Sequence, residues 1–263
     1  MDLLLKGKII LVTGGSKGLG FSCAKLIAEE GAHVILCSRN VSNLESARIT
    51  IENSTGIKPD IFVGNTGFPS QIEKLRDWIL EKFGKIDGLI INSGGPPTGG
   101  SLSFNDDEWQ SSFNNNLMSA VRLSKAFIPS MKQQGYGRIV AITSISAKQP
   151  LNNLVLSNTM RLGVIGYLKT LSNEVASSNI LVNVILPGLT RTERLEEVMK
   201  KWAENESKTL VEVIKSRTAE IPAGRLGNPE ELAALACFLI SGKNTYITGQ
   251  TIAVDGGFIK SAL

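Results

Sequence analysis

The chain has 263 residues, 42% of them hydrophobic, and a formal net charge of +4, so it can form one domain with a sizeable core. The basic residues form no run and no apolar stretch is long enough to span a membrane, which argues against nucleic-acid and membrane partners. The N-terminus does not resemble a signal peptide and the three cysteines form no CxxC pair, which indicates a reducing cytoplasm without disulfides or a metal site.

Short apolar runs that recur along the chain predict β-strands. They are Ile9–Val12, His33–Cys37, Ile61–Val63, Gly88–Ile91, Arg138–Ile142, Leu181–Leu186 and Thr251–Val254. Segments of helical periodicity lie between most of them. This alternation predicts one α/β domain over residues 1–263, a three-layer Rossmann fold whose doubly wound parallel sheet has about seven strands and helices on both faces. Ligands of such sheets bind beyond the carboxyl ends of the strands, where the strand order reverses.

A glycine-rich turn follows the first predicted strand and precedes an apolar helical pattern. Strand, turn and helix in this order place backbone N–H groups and a helix N-terminus where a pyrophosphate can bind. Gly14 permits the sharp turn, Gly18 lets a phosphate approach, and Gly20 allows close packing of helix on strand. We therefore expect a dinucleotide at Gly14, Ser16, Lys17, Gly18, Leu19 and Gly20. An ordinary strand-to-helix turn is the alternative.

The end of the second predicted strand indicates which dinucleotide binds. An acidic residue there would bind the ribose 2′-hydroxyl of NAD. The chain instead has Ser38 and Arg39, and Lys17 adds a second positive charge from the glycine turn. A guanidinium beside an ammonium suits a 2′-phosphate, so NADP(H) is favoured over NAD(H). Two solvated surface cations are the alternative.

Two long segments predict functional loops, residues 94–100 and residues 190–222. Within the second, the apolar positions from Leu195 to Trp202 and from Leu210 to Ile214 follow helical spacing. We expect residues 190–222 to form a substrate lid, whose apolar lining suits a partly hydrophobic substrate. A plain exposed helical hairpin remains the other interpretation.

From Gly7 to about Phe258 the chain resembles the short-chain dehydrogenase/reductase family. The fingerprint TGxxxGxG is matched from Thr13 to Gly20, and the stretch from Arg225 to Gly257 is most similar to 3-oxoacyl-(acyl-carrier-protein) reductases. The resemblance implies hydride transfer between a nicotinamide and a small carbonyl or alcohol compound. It also implies a homo-oligomer, either a tetramer or a dimer.

The resemblance further implies individual site residues. The catalytic Asn and Ser of the family fall on Asn116 and Ser144. Its adenine-contacting Asp aligns with Gly64, beside Asn65. Further cofactor contacts fall on Asn92 and Gly94 after the fourth strand, on Pro187 and Gly188 after the sixth, and on Thr192.

One departure from the family pattern changes the expected chemistry. The YxxxK pair of the family is replaced by Ser157 and Arg161, which places the chain in a divergent subgroup lacking the Tyr and Lys. A serine hydroxyl donates a hydrogen bond but is a far weaker acid than a phenol of pKa about 10. Arg161 lies one helical turn away and stays charged, so it can hold ribose hydroxyls and stabilise an oxyanion but cannot relay a proton as lysine does.

The sequence therefore leaves two functions open. The first is an NADP(H)-dependent oxidoreductase whose altered catalytic set is Ser144, Ser157, Asn116 and Arg161. The second is a redox-silent NADP-binding sensor or scaffold. Losing a general acid costs about 10²–10⁴ in rate, which permits both, but the retained glycine turn and family residues favour the enzyme.

Three other residues have simpler interpretations. Ser146 and Lys148 follow Ser144 closely enough to deliver a proton through water, but surface or loop-stabilising roles are favoured. His33 has no carboxylate near it in the sequence and is interpreted as a strand-end residue, not a ligand or catalytic base.

Overall fold

The computed structural model of the protein describes residues 1–261, and residues 262 and 263 of the predicted domain lie outside this range. Seven strands alternate with helices along the described chain. The strands are β1 (Ile9–Thr13), β2 (His33–Ser38), β3 (Asp60–Val63), β4 (Gly88–Asn92), β5 (Gly137–Ile142), β6 (Ile180–Pro187) and β7 (Thr251–Val254). Each predicted strand is confirmed to within one residue at either end.

The helices fill the intervals between the strands. They are α1 (Gly18–Glu29), α2 (Val41–Thr55), α3 (Pro69–Phe83), α4 (Asp106–Ser112), α5 (Ser119–Gln133), α6 (Val155–Val175), α7 (Glu193–Glu206), α8 (Leu210–Ala219) and α9 (Pro229–Ile240). A π-helical turn (Phe113–Met118) joins α4 to α5. The predicted lid region of residues 190–222 contains α7 and α8, the two helices that its apolar spacing indicates.

All seven strands form one parallel sheet in the order β3-β2-β1-β4-β5-β6-β7. Every residue of β5 and β6 is buried, because helices cover both faces of the sheet. The order reverses between β1 and β4, so the loops after these two strands diverge and leave a crevice between them.

Each face of the sheet has its own hydrophobic core. On one face α3, α5 and α6 contribute side chains such as Leu75, Phe127 and Leu168, all at most 2% exposed. On the other face α1, α2 and α9 contribute side chains such as Ile27 and Ile240, which are fully buried. The doubly wound architecture predicted from the sequence is thereby confirmed.

The amino ends of the strands carry polar groups that stabilise the fold. Asp87 is 2% exposed, accepts a hydrogen bond from the backbone N–H of Ile9 at 2.9 Å, and pairs with Lys8 and Lys85. His33 at the start of β2 lies 2.8 Å from the carboxylate of Asp60 at the start of β3. This carboxylate is remote in sequence, so only the pairing of β2 with β3 brings the two together.

The described residues contain neither a membrane-spanning helix nor a cluster of metal ligands. Over residues 1–261, no helix combines the length and apolar character that crossing a bilayer requires. In the same range, no three side chains of the types His, Cys, Asp and Glu cluster as a metal site would need.

Candidate active site

A cleft of about 760 Å³ lies over the carboxyl ends of the strands, at the point where the strand order reverses. Nearly all the predicted site residues line it. They are Gly14, Ser16, Lys17, Gly18, Leu19, Ser38, Arg39, Asn65, Asn92, Gly94, Asn116, Ser144, Ser157, Arg161, Pro187, Gly188 and Thr192. Gly20 is the exception, because it is buried behind the turn, where an added Cβ would lie 2.3 Å from the carbonyl oxygen of Gly14.

The glycine turn has the geometry of a phosphate cradle. Gly14 and Gly18 have φ values of 58° and 55°, which residues with a Cβ rarely adopt. Asn92 holds the turn from the neighbouring strand by donating to the carbonyl oxygen of Gly14 at 3.1 Å. Lys17 is the N-cap of α1, and its side chain makes no capping hydrogen bond. The first N–H groups of α1 therefore face the cleft without a side-chain acceptor, as an anion site requires.

The part of the cleft at the end of β2 contains polar side chains without partners among the described residues. Arg39 is exposed at the cleft wall and forms no ion pair with any described residue. The Oγ of Ser38 beside it is buried and has no hydrogen-bond partner among residues 1–261. Lys17 differs, because its ammonium pairs with Glu193 on α7 at 3.0 Å. Both members of this ion pair are exposed, so a phosphate can compete with the Glu193 carboxylate for Lys17.

The π-helical turn places Asn116 in the interior. Its side-chain amide donates to the Oγ of Ser93 and to the carbonyl oxygen of Gly94, both at 3.0 Å. Its amide oxygen lies 3.3 Å from the Oγ of Ser112. Asn116 therefore ties the loop after β4 to the α4–α5 junction, and its side chain is already fully engaged within the protein. Such π-turns occur frequently at functional sites.

Three serines lie where β5 ends and α6 begins. Ser144 accepts a hydrogen bond from the backbone N–H of Ser146 at 3.1 Å. The Oγ atoms of Ser146 and Ser157 lie 3.0 Å apart, and Ser157 is only 8% exposed. Ser146 itself is buried, whereas Lys148 is exposed. Ser146 thus orients the hydroxyl of Ser157, a role that neither of the interpretations from sequence gave it.

Arg161 extends from α6 into the base of the cleft and is 7% exposed. Its guanidinium donates to the carbonyl oxygens of Ile142 at 3.1 Å and Ser93 at 3.4 Å, while its Nε has no partner. Burial, and next the nearby charge of Arg194, lowers the pKa of Arg161 to about 10. Arg161 is therefore still a cation at neutral pH, but one that the protein leaves incompletely satisfied.

The start of α7 closes the cleft from above. Thr192 caps the helix by accepting from the backbone N–H of Leu195 at 3.2 Å. Arg194 lies two residues further along the chain. Its guanidinium donates to the carbonyl oxygen of Pro96 at 2.6 Å, across the cleft. Further along α7, Trp202 lines the cleft and packs against the guanidinium of Arg217 on α8 at 4.9 Å.

Several of these residues are not identifiable as site residues from the sequence. Glu193 and Arg194 belong to no motif, Ser93 lies between the predicted contacts Asn92 and Gly94 without being one, and a surface or loop-stabilising role is favoured for Ser146. A weak signal existed for Arg194, since it lies two residues after Thr192 in the predicted lid. Charged residues of a lid are usually solvated, so this position by itself does not indicate a site residue.

The site can be compared with known proteins. Residues 14–259 match the family model described as Enoyl-(Acyl carrier protein) reductase. The 3-oxoacyl-(acyl-carrier-protein) reductase FabG of Vibrio cholerae is 34% identical over 253 residues, which cover 96% of this chain and 98% of that protein.

Solved structures extend the comparison to the fold. The L-sorbose reductase of Gluconobacter frateurii, complexed with NADPH and L-sorbose, aligns with a TM-score of 0.93 and 32% identity over 99% of this chain and 100% of that chain. An NAD⁺-bound xylitol dehydrogenase aligns with a TM-score of 0.91 and 26% identity over 96% and 99% of the two chains. Because the family model and these relatives each cover most of its length, the chain belongs to the short-chain dehydrogenase/reductase family.

Proposed function

We propose that this protein is an NADP(H)-dependent oxidoreductase that acts on the C=O or CH–OH group of a small molecule through an altered catalytic set. The observation that carries the proposal is the single cleft that joins the glycine turn and Arg39 to Ser144, Ser157 and Arg161. A phosphate cradle and a set of hydroxyl donors at opposite ends of one cleft suit a dinucleotide whose reactive end meets a polar substrate.

The residues present fit an NADP molecule. The positive φ of Gly14 and Gly18 and the uncapped first turn of α1 suit its pyrophosphate. The unpartnered Oγ of Ser38 and the free guanidinium of Arg39 suit its 2′-phosphate. Since relatives bind either NADPH or NAD⁺, the preference for NADP(H) rests on these two side chains.

When bound, the nicotinamide supplies or accepts the hydride. In the reductive direction negative charge develops on the carbonyl oxygen, and the hydroxyls of Ser144 and Ser157 can donate hydrogen bonds to it. Ser157 is able to donate there because it can accept in turn from Ser146. Arg161 adds a positive charge below them, and Asn116 acts as a positioning residue for the loop after β4. The proton that completes the alcohol comes from solvent, because no tyrosine of residues 1–261 lines the cleft.

Substitution of Ser157 tests the enzyme directly. We expect Ser157→Ala to lower kcat/KM by about 10²-fold, as loss of one oxyanion donor does, while leaving the Kd for NADPH unchanged. The measurement is NADPH oxidation against a panel of ketones, aldehydes and oxo acids, with calorimetry for the cofactor. Ser101→Ala, in the exposed loop after β4, is the matched control.

A double variant separates the enzyme from a redox-silent binding protein. Ser157→Tyr with Arg161→Lys restores the Tyr and Lys that the family pattern has. If this pair creates activity in a protein that had none, the natural chain is a sensor or scaffold. If it abolishes an existing activity, Ser157 and Arg161 are the residues that the natural enzyme uses.

Absence of binding by both NADPH and NADH would contradict both functions. The homo-oligomer and the cytoplasmic location stay predictions.

A further inference from the structure

The substrate end of the cleft has a surplus of positive charge. The guanidinium of Arg161 is almost completely buried, and its protein partners are two backbone carbonyls and no carboxylate. Nε–H and one N–H on each terminal nitrogen remain unused, since a guanidinium has five donors. A buried cation without a counter-charge is costly, so a protein that maintains one has a ligand to balance it or a chemical use for it.

A second guanidinium faces the same space. Arg194 reaches across from α7 to Pro96, and its charge is close enough to Arg161 to disfavour the protonated form of that residue. The carboxylates that line the cleft are Glu193 and Glu197. Glu193 pairs with Lys17 at 3.0 Å and Glu197 pairs with Arg194 itself at 3.3 Å, and both carboxylates are well exposed. Arg161 has no carboxylate partner among residues 1–261. The base of the cleft therefore remains electropositive.

The cleft lining also includes apolar side chains from the segment before α6 and from α7. Leu151, Leu154, Val198 and Trp202 line the cleft between α6 and α7. A ligand that fits both surfaces has an anionic head and a hydrocarbon body. The planar fork of a guanidinium matches a carboxylate in two parallel hydrogen bonds, and Arg161 has three N–H groups without a hydrogen-bond partner among residues 1–261.

We propose that the substrate is an oxo- or hydroxycarboxylic acid whose carboxylate binds between Arg161 and Arg194. This inference rests on the proposed function, because it names the substrate class of the same cleft. It also separates this protein from a reductase of 3-oxoacyl thioesters, whose reacting end is uncharged.

The experiment uses two probes of equal length that cannot be reduced at the site, hexanoate and hexanamide. Each is titrated by calorimetry into the whole protein, with and without saturating NADP⁺. We expect hexanoate to bind at least about tenfold more tightly than hexanamide to the wild-type protein, as a charge-assisted fork provides. Arg194→Gln should reduce this preference to about threefold or less, and Arg161→Met should abolish it.

A matched variant controls for loss of charge in general. Arg191→Gln removes a charge three residues before Arg194, from an exposed side chain outside the cleft lining, and should keep the full preference. Arg194 is half-exposed, so its variant tests the proposal even if Arg161→Met does not fold. Equal binding of the two probes, failure of both to bind, or an unchanged preference in Arg194→Gln would each overturn the carboxylate site. The titrations without NADP⁺ measure the preference for hexanoate even if the protein binds no nucleotide. Failure of the carboxylate site and failure of the proposed function are therefore distinguished.

Discussion

Arg161 and Ser157 differ in how completely the protein satisfies their polar groups. A lysine at position 161 could lose its proton when buried, whereas an arginine retains its charge in the interior. The chain leaves the Nε of Arg161 unpaired and gives the charge no carboxylate partner among the described residues. Ser157, by contrast, is satisfied by Ser146 and is held in one orientation. Where the family pattern has an acidic Tyr and a proton-relaying Lys, this chain has an oriented hydrogen-bond donor, Ser157, and a fixed positive charge, Arg161.

Arg39 gives a prediction at the residue scale. Arg39→Ala should raise the Kd for NADPH about 10- to 100-fold, because about 1.4–2.7 kcal/mol of charge-assisted hydrogen bonding to the 2′-phosphate is lost. The Kd for NADH should not change, since NADH lacks that phosphate. Fluorescence titration with both cofactors measures the two values, and NADH serves as the internal control. An equal loss for both would show that Arg39 does not distinguish them.

At the scale of elements, the start of α7 connects the two halves of the cleft. Thr192 caps the helix, Glu193 pairs with Lys17 in the glycine turn, and Arg194 reaches the loop after β4. The apolar face of the same helix, with Met199 and Trp202, packs onto the core. A single helix N-terminus thus contacts the phosphate cradle and the substrate side together, which is the arrangement expected of a lid.

The ion pair between α7 and the glycine turn gives a prediction at this scale. Glu193→Gln should release Lys17 for the cofactor phosphates and tighten NADPH binding about two- to fivefold, the magnitude of an exposed ion pair. The difference from the wild-type protein should shrink as salt is added. Glu196→Gln, which removes an equal charge from the exposed face of α7, where it pairs with Lys200, is the control. If both variants tighten binding equally, general repulsion and not the ion pair is responsible.

At the scale of the whole molecule, the carboxyl and amino ends of the strands differ in the polar groups that they carry. The carboxyl ends carry the cleft with its unsatisfied donors. The amino ends carry Asp87 with its two lysines and the buried guanidinium of Arg138, which packs on Tyr136 at 4.4 Å. Substitutions at the amino ends are therefore expected to change stability, and those at the carboxyl ends to change binding and turnover.

The Asp60 cluster gives a prediction of pH dependence. Burial by itself raises the pKa of the Asp60 carboxyl, but hydrogen bonds from Lys82 and His33 outweigh it and hold the pKa below its usual value. A lowered pKa means that the unfolded chain binds the proton more readily, so this stabilisation is present above about pH 4 and is lost as the pH falls below it. Asp60→Asn should lower the free energy of unfolding at pH 7 and flatten its fall in acid. Urea unfolding between pH 3 and 7 measures both, and an unchanged acid slope would contradict the assignment.

The strands, their parallel order and the place of the cleft follow from the sequence alone. Helices bury both faces of the sheet, so each strand shows as a continuous apolar run whose ends are marked by polar residues. The glycine turn can also be predicted from the sequence, because few residues other than glycine adopt the positive φ that Gly14 and Gly18 have. The other motif residues of the cleft, such as Asn116, Ser144 and Thr192, could be named because the chain resembles its family over nearly its whole length.

Only the tertiary structure decided how the side chains at the cleft pair with one another. The contacts of Ser146 with Ser157, of Lys17 with Glu193 and of Arg194 with the loop beside Arg161 join segments that are 11, 176 and 98 residues apart. Apolar patterning records which face of an element is buried, but it does not record which polar groups meet when two elements pack. Hydrogen bonds depend on distances of a few tenths of an ångström and on single rotamers, and these are set by the packing of the whole molecule.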